Sequence, residues 1–172
     1  MAHVADPTLD RLFRHEVWAL RKMFAFLRSQ PESVLAMTAP NTGWDVGVLL
    51  AHISSAAMSY VARIEGGPDP SADAPDTHAD LDALETRVVA AAERLRALAA
   101  EGSDADVVEV EDAGTSRYPR SLILAQAIYH AIEHRAQLFG VLTANGVVGT
   151  NLDDLDHWSY GVDEGSFSSS SD

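Results

Sequence analysis

The segment LILAQAIYHAIEHRAQLFGVLTANG, Leu122–Gly146, decides how this chain is read. Its positions Ile123, Ala127, His130, His134, Leu138 and Val141 recur at three- and four-residue steps, the interval at which side chains share one face of a helix. The spacing predicts a helix that begins after Pro119, near Arg120 or Ser121, and ends at the Asn145-Gly146 pair, a C-terminal stop. Two imidazoles then stand on successive turns of an apolar stripe, where both can reach one point.

Working outward, three more helices follow from the same periodicity. From Thr8 to about Arg28, Leu9, Phe13, Leu20, Phe24 and Leu27 recur near helical period, and Glu16 falls on the stripe between Phe13 and Leu20. Asp45 is the expected N-cap of a second helix running through VGVLLAHISSAAMSYVARIE, because its carboxylate accepts the unpaired amide protons of the first turn. Gly66, Gly67, Pro68 and Pro70 end it and open a polar loop, the best candidate for mobility. Leu81, Leu84, Val88, Ala91, Leu95 and Leu98 form the clearest amphipathic stripe, stopped by Gly102. DVVEVED suggests at most a short extended excursion, and DDLDHWSYG a last short helix or turn. The expected fold is all-α, a single four-helix bundle over residues 1–165 with a long loop between helices 2 and 3, and a disordered tail at 166–172.

At 172 residues the chain is long enough for one continuous core and short for two. Twelve Lys and Arg against 26 Asp and Glu give a net charge of −14, which opposes contact with phosphate backbones and anionic lipid. The arginines are scattered rather than clustered, so no nucleic-acid partner is expected. The chain has no cysteine, which excludes disulfides, thiolate ligands and a cysteine nucleophile. The longest uncharged run, Val46 to Ala62, contains His52, three serines and Tyr60 and falls short of the ~20 apolar residues of a membrane span. The N-terminus lacks the pattern of a secretory signal, and a soluble cytoplasmic protein is the default expectation.

On the second helix Leu49, His52, Ile53, Ala56 and Tyr60 form the apolar face, which aims a third imidazole inward. Three neutral imidazoles from two helices suit a divalent metal such as Zn²⁺, Ni²⁺ or Fe²⁺ and leave coordination positions open. Spacing alone is equally met by histidines that are hydrogen-bonded in a core or placed at its rim, and it leaves both readings standing.

YPRSLILAQAIYHAIEHRAQL resembles the last-helix signature of the DinB/YfiT-like superfamily of metal-dependent enzymes: a histidine, three residues, then His-Arg-x-Gln. GWDVGVLLAHISSA resembles the family's second-helix segment, where a Trp and a helix cap precede the first ligand histidine, and DLDHWSYG its aromatic ending. The resemblance implies a metal triad of His52, His130 and His134. Ala136, where many members carry glycine, and Gly47 depart from the common pattern without removing a ligand. It also implies a small-molecule substrate and an S-transferase chemistry in detoxification using a bacterial thiol such as bacillithiol or mycothiol. A metal-dependent hydrolase activating water, and a non-catalytic metal- or ligand-binding bundle, stay open beside it. Relatives often pair, which makes a homodimer compatible with this chain.

Glu133 is the candidate catalytic carboxylate, a ligand support or proton acceptor, with a surface ion pair as its plain alternative. Gln137 flanks the ligands as a possible orienting group, and Arg135 reads as a structural salt bridge. His3, His15 and His78 are expected to be solvent-exposed. Trp18 and Trp44 read as core or staple aromatics. The segment around His157 and Trp158 either covers the mouth of a pocket or packs against the bundle end, packing being favoured.

Overall fold

The computed structural model describes residues 6–40, 42–101, 106–111, 115–149 and 151–166. Helices α1 (Pro7–Arg28), α2 (Val46–Glu65), α3 (His78–Glu101) and α4 (Arg120–Ala144) form the bundle, and a short α5 (His157–Asp163) closes its side. His3 lies outside the described residues, as does the expected tail apart from Ser166, whose hydroxyl accepts from Arg11 Nη2 at 2.9 Å.

Each helix ends where local chemistry directs. The Asp6 carboxylate accepts from the amides of Thr8 and Leu9, with Pro7 occupying a first-turn position that needs no amide proton. The Asp45 carboxylate accepts from Val48 N–H at 2.7 Å, and Gly66, at φ 76°, turns left-handed to stop α2. Gly146 does the same after α4, at φ 73°.

α3 packs against both α1 and α2, and α4 packs against α2, so α1 and α2 occupy opposite corners of the bundle. The main core joins Leu20, Phe24 and Leu27 of α1, Leu49, Leu50 and Ile53 of α2, Leu81, Leu84 and Val88 of α3, and Leu138, Val141 and Leu142 of α4. Phe13, Leu95, Leu124, Ala127 and Ile128 form a second cluster, with Tyr60 packed against it.

Three features depart from the sequence reading. The segment before α4 is a full antiparallel hairpin, β1 (Val107–Glu111) with β2 (Thr115–Pro119), pairing Val108 with Tyr118 and Glu109 with Arg117. It was hard to see because β2 has almost no buried side chain to give it an apolar alternation. Arg120 secures its end, donating from its amide to Asp106 O and from Nη2 to Leu98 O. The loop after α2, expected to be the most mobile part, is tied down: Ala72 N–H donates to Ser55 Oγ at 2.8 Å and Arg87 Nη2 to Ser71 O at 2.9 Å. Gly47 lets it cross α2, since a Cβ there would stand 3.1 Å from Pro75 O. Finally, α2 taken whole is long and apolar enough to cross a membrane, by length and composition, although the uncharged run within it fell short. In the fold, one of its faces is packed into the core through Leu49, Leu50 and Ile53.

Candidate metal centre

α2 and α4 run side by side, and their paired stripes bring His52, His130 and His134 together. One ring nitrogen from each lies within 4.8 Å of those of the other two. His52 Nε2 and His130 Nε2 are 3.0 Å apart and share a hydrogen bond, while the ring centroids of the three pairs lie 4.3 to 4.8 Å apart. All three rings are half-buried, neither sealed in the core nor free in solvent.

The electrostatics keep two of the rings neutral. Burial, then the neighbouring His134 and His52, push His130 down to about 4. Burial and His134 lower His52 in the same way. At neutral pH both rings are therefore uncharged and carry a nitrogen lone pair, the form a metal requires. His134 Nδ1–H donates to Gln137 Oε1 at 2.8 Å, which fixes the tautomer and leaves Nε2 as the coordinating atom. A tetrahedral zinc with bonds of about 2.0–2.1 Å spans nitrogens roughly 3.3 Å apart, close to the separation found between His52 and His130. The donor set fits a borderline divalent metal, and among the described residues this is the group of His, Asp and Glu side chains with the geometry to hold one.

Around the triad the sequence reading needs adjustment. Trp44 is neither core nor staple: it is 36% exposed, and its ring stands over the site, 4.7 Å from His52 and 5.8 Å from His134 between centroids. Its place just before the Asp45 cap was legible, but not the direction of its ring. Tyr60, noted only as part of a stripe, meets His130 edge-on at 5.9 Å. Burial raises its phenol pKa, opposed by a hydrogen bond with Gln126. Glu133 is exposed on α4 and is near enough to Tyr60 to add to that rise. The residue in contact with a triad imidazole is Gln137 rather than Glu133.

Beneath the site, Arg135 and Glu16 are both buried, and Arg135 Nη1 donates to the two Glu16 oxygens at 2.9 and 3.1 Å. The pair pins α4 to α1 one residue beyond His134, the structural role read from the sequence. Glu16, Tyr60 and His130 also line an internal cavity of about 20 Å³, room for a single water.

His15 corrects an expectation outright. It is 5% exposed, and its Nε2–H donates to Leu155 O at 2.8 Å. The ring of His157 meets it edge-on at 3.9 Å, and Tyr160 packs close by, so the C-terminal segment packs against the bundle. Burial pushes His15 down to about 4. Trp158, by contrast, is 75% exposed at the rim of a recess of about 360 Å³ that also includes His15 and Arg135. His78 is only half-exposed, its Nε2–H donating to Gln30 O at 3.0 Å.

The DinB family model matches residues 2–163, nearly the entire chain. No curated protein matches the chain at a significant level.

Proposed function

The chain belongs to the DinB family, and on that footing we propose that it is a metal-dependent S-transferase that joins a low-molecular-weight bacterial thiol, of the bacillithiol or mycothiol kind, to an electrophile in detoxification. The observation that carries this reading is the convergence of three imidazoles, one ring nitrogen from each, at a half-buried site in a chain with no cysteine of its own. A divalent metal held by His52, His130 and His134 supplies Lewis acidity, lowering the pKa of a thiol or a water brought to it.

The chain's own residues supply the rest. Gln137 holds His134 in one tautomer, and the Glu16–Arg135 pair holds the α4 turn that carries it. Trp44 shields one side of the triad from water, which strengthens electrostatic interactions there. We assign Glu133 as acceptor of the thiol proton; the sulfur electron pair then forms the new S–C bond, and the leaving group departs with its own pair. The exposure of Glu133 suits a group that passes its proton on to solvent.

The test is a panel of low-molecular-weight thiols with a chromogenic electrophile, run on protein purified without a nickel column. Metal-dependent thioether formation is expected, and its loss in Glu133→Gln with metal retained. Hydrolysis of a chromogenic ester in its place would move the assignment to water activation, and silence in both assays to a binding role.

A further inference from the structure

Next to the triad, the groove between α2 and α4 opens into a recess of about 390 Å³ lined by Tyr60, Arg63, Tyr118, Leu122, Ile123 and Gln126. Tyr60 is the shared wall. Its ring lies 5.9 Å from that of His130 on one side and 6.0 Å from the Arg63 guanidinium carbon on the other. Two steps of this length join the imidazoles to a cation.

Arg63 is placed there by helix geometry. It follows His52 by eleven residues, about three turns, so both lie on nearly the same face of α2, and helical side chains lean back toward the N-terminus. The arginine therefore reaches toward the triad along the groove. Its Nε is buried without a hydrogen-bond partner among the described residues, and its ion pair with exposed Asp69 is loose, at 3.8 Å. The contrast with Arg135, locked to both oxygens of Glu16, is direct. In a chain of net charge −14, an arginine whose ion pair is loose and exposed, beside an aromatic and aliphatic recess, offers its outer guanidinium nitrogens to a carboxylate.

We propose that this recess is a binding subsite for the carboxylate end of the small molecule that reacts at the triad, with Arg63 as its anchor and Tyr60, Tyr118 and Leu122 against its stem. The ligand class is a carboxylic acid whose acid group lies on the order of 10 Å from its reacting atom, the span implied by the two side-chain steps through Tyr60. For the far end of that ligand the inference rests on the reaction proposed above; the carboxylate anchor does not.

The experiment has two arms. In the first, hexanoate and hexanamide are titrated into the ¹⁵N-labelled protein as purified, following the Arg63 Nε–H resonance. Hexanoate is expected to move that resonance and to bind about tenfold more tightly than the amide. Arg63→Gln should erase the preference, and Arg63→Lys should keep part of it. Equal affinity for acid and amide, or an Arg63 resonance that stays still, overturns the proposal; the wild-type titration decides this even if Arg63→Gln does not fold. In the second arm, 8-mercaptooctanoate is compared with octanoate on zinc-loaded protein. A gain from the thiol that disappears in His130→Ala, with the carboxylate preference intact, places the two ends of the ligand at the two sites. Loss of the second arm alone counts against the triad chemistry and leaves the Arg63 anchor standing.

Discussion

Two groups of histidines lie in one bundle, and only one of them is arranged for a metal. At the α1–α5 contact, His15 and His157 meet edge-on with centroids 3.9 Å apart, closer than any pair in the triad. Yet His15 has its Nε2 committed to a backbone carbonyl, and its ring is sealed by Tyr160 and Leu155. At the α2–α4 contact the rings are farther apart, half-exposed, and three nitrogens face one another. Proximity of imidazoles is therefore a poor sign of a metal site. Ring nitrogens that converge on one point without a backbone partner are a good one, and an orienting bond on the other ring nitrogen, as from His134 to Gln137, strengthens it.

The comparison breaks most sharply at His130. Replacing it with Ala removes one of three donors, and elemental analysis should find bound metal falling from near one per chain to none. His15→Ala should leave the metal in place; retention of stoichiometric metal by His130→Ala would sink the assigned triad. The next effect in size is on stability. Arg135→Met strands the Glu16 carboxylate in the interior and should cost about 3–5 kcal/mol in urea unfolding, because a buried charge loses its close counterpart. Adding Glu16→Gln to that variant should recover part of the loss.

A smaller effect separates the clusters by pH. His15 stays neutral in the folded state to about pH 4, whereas the unfolded chain protonates it near its ordinary value of 6.5. Between those limits the unfolded state binds more protons, so stability is full above pH 6.5 and falls as pH drops toward 4. The slope from one such group is at most about 1.4 kcal/mol per pH unit. His130, at about 4 in the metal-free protein, adds a second contribution of the same sign. Metal binding should leave the His15 part unchanged and keep or steepen the His130 part, since a metal-held imidazole stays unprotonated in the folded state, and His15→Asn should remove only its own share; unfolding curves at pH 7, 6 and 5 with and without metal check this. Smallest of all, Trp44→Ala should change stability by less than about 1 kcal/mol, since the ring is a third exposed. Co²⁺ is expected to quench the fluorescence of Trp44 in the wild type, and Trp44→Ala should remove that quenching while leaving the emission of Trp18 and Trp158 unaffected.

The parts of the molecule that could be read in advance are those governed by short-range rules. Helix α4, its start after Pro119 and its stop at Asn145-Gly146, follow from periodicity and capping, and so does the phase that brings His52 opposite His130 and His134. What escaped depends on segments far apart in the chain. His15 sits between Arg14 and Glu16, and Leu155, His157 and Tyr160, some 140 residues on, cover it. The hairpin escaped because its second strand is almost wholly exposed. Trp44 was located but misjudged, because the stretch that caps a helix does not say whether the preceding ring turns toward the core or over a neighbouring helix. Nothing in the sequence around Arg63 marks it, because the surroundings of its guanidinium are set by β2 and α4, far along the chain.

The Asp45 cap also works as a ruler. It fixes where α2 begins, and the seven residues from it to His52 set the angle at which that imidazole leaves the helix. One residue inserted between them would swing His52 by about 100° and carry it away from α4, and one deleted would do the same in the opposite sense. Homologous chains that keep a working triad are thus expected to vary freely in the loop after Gly66 while holding the count between cap and histidine fixed.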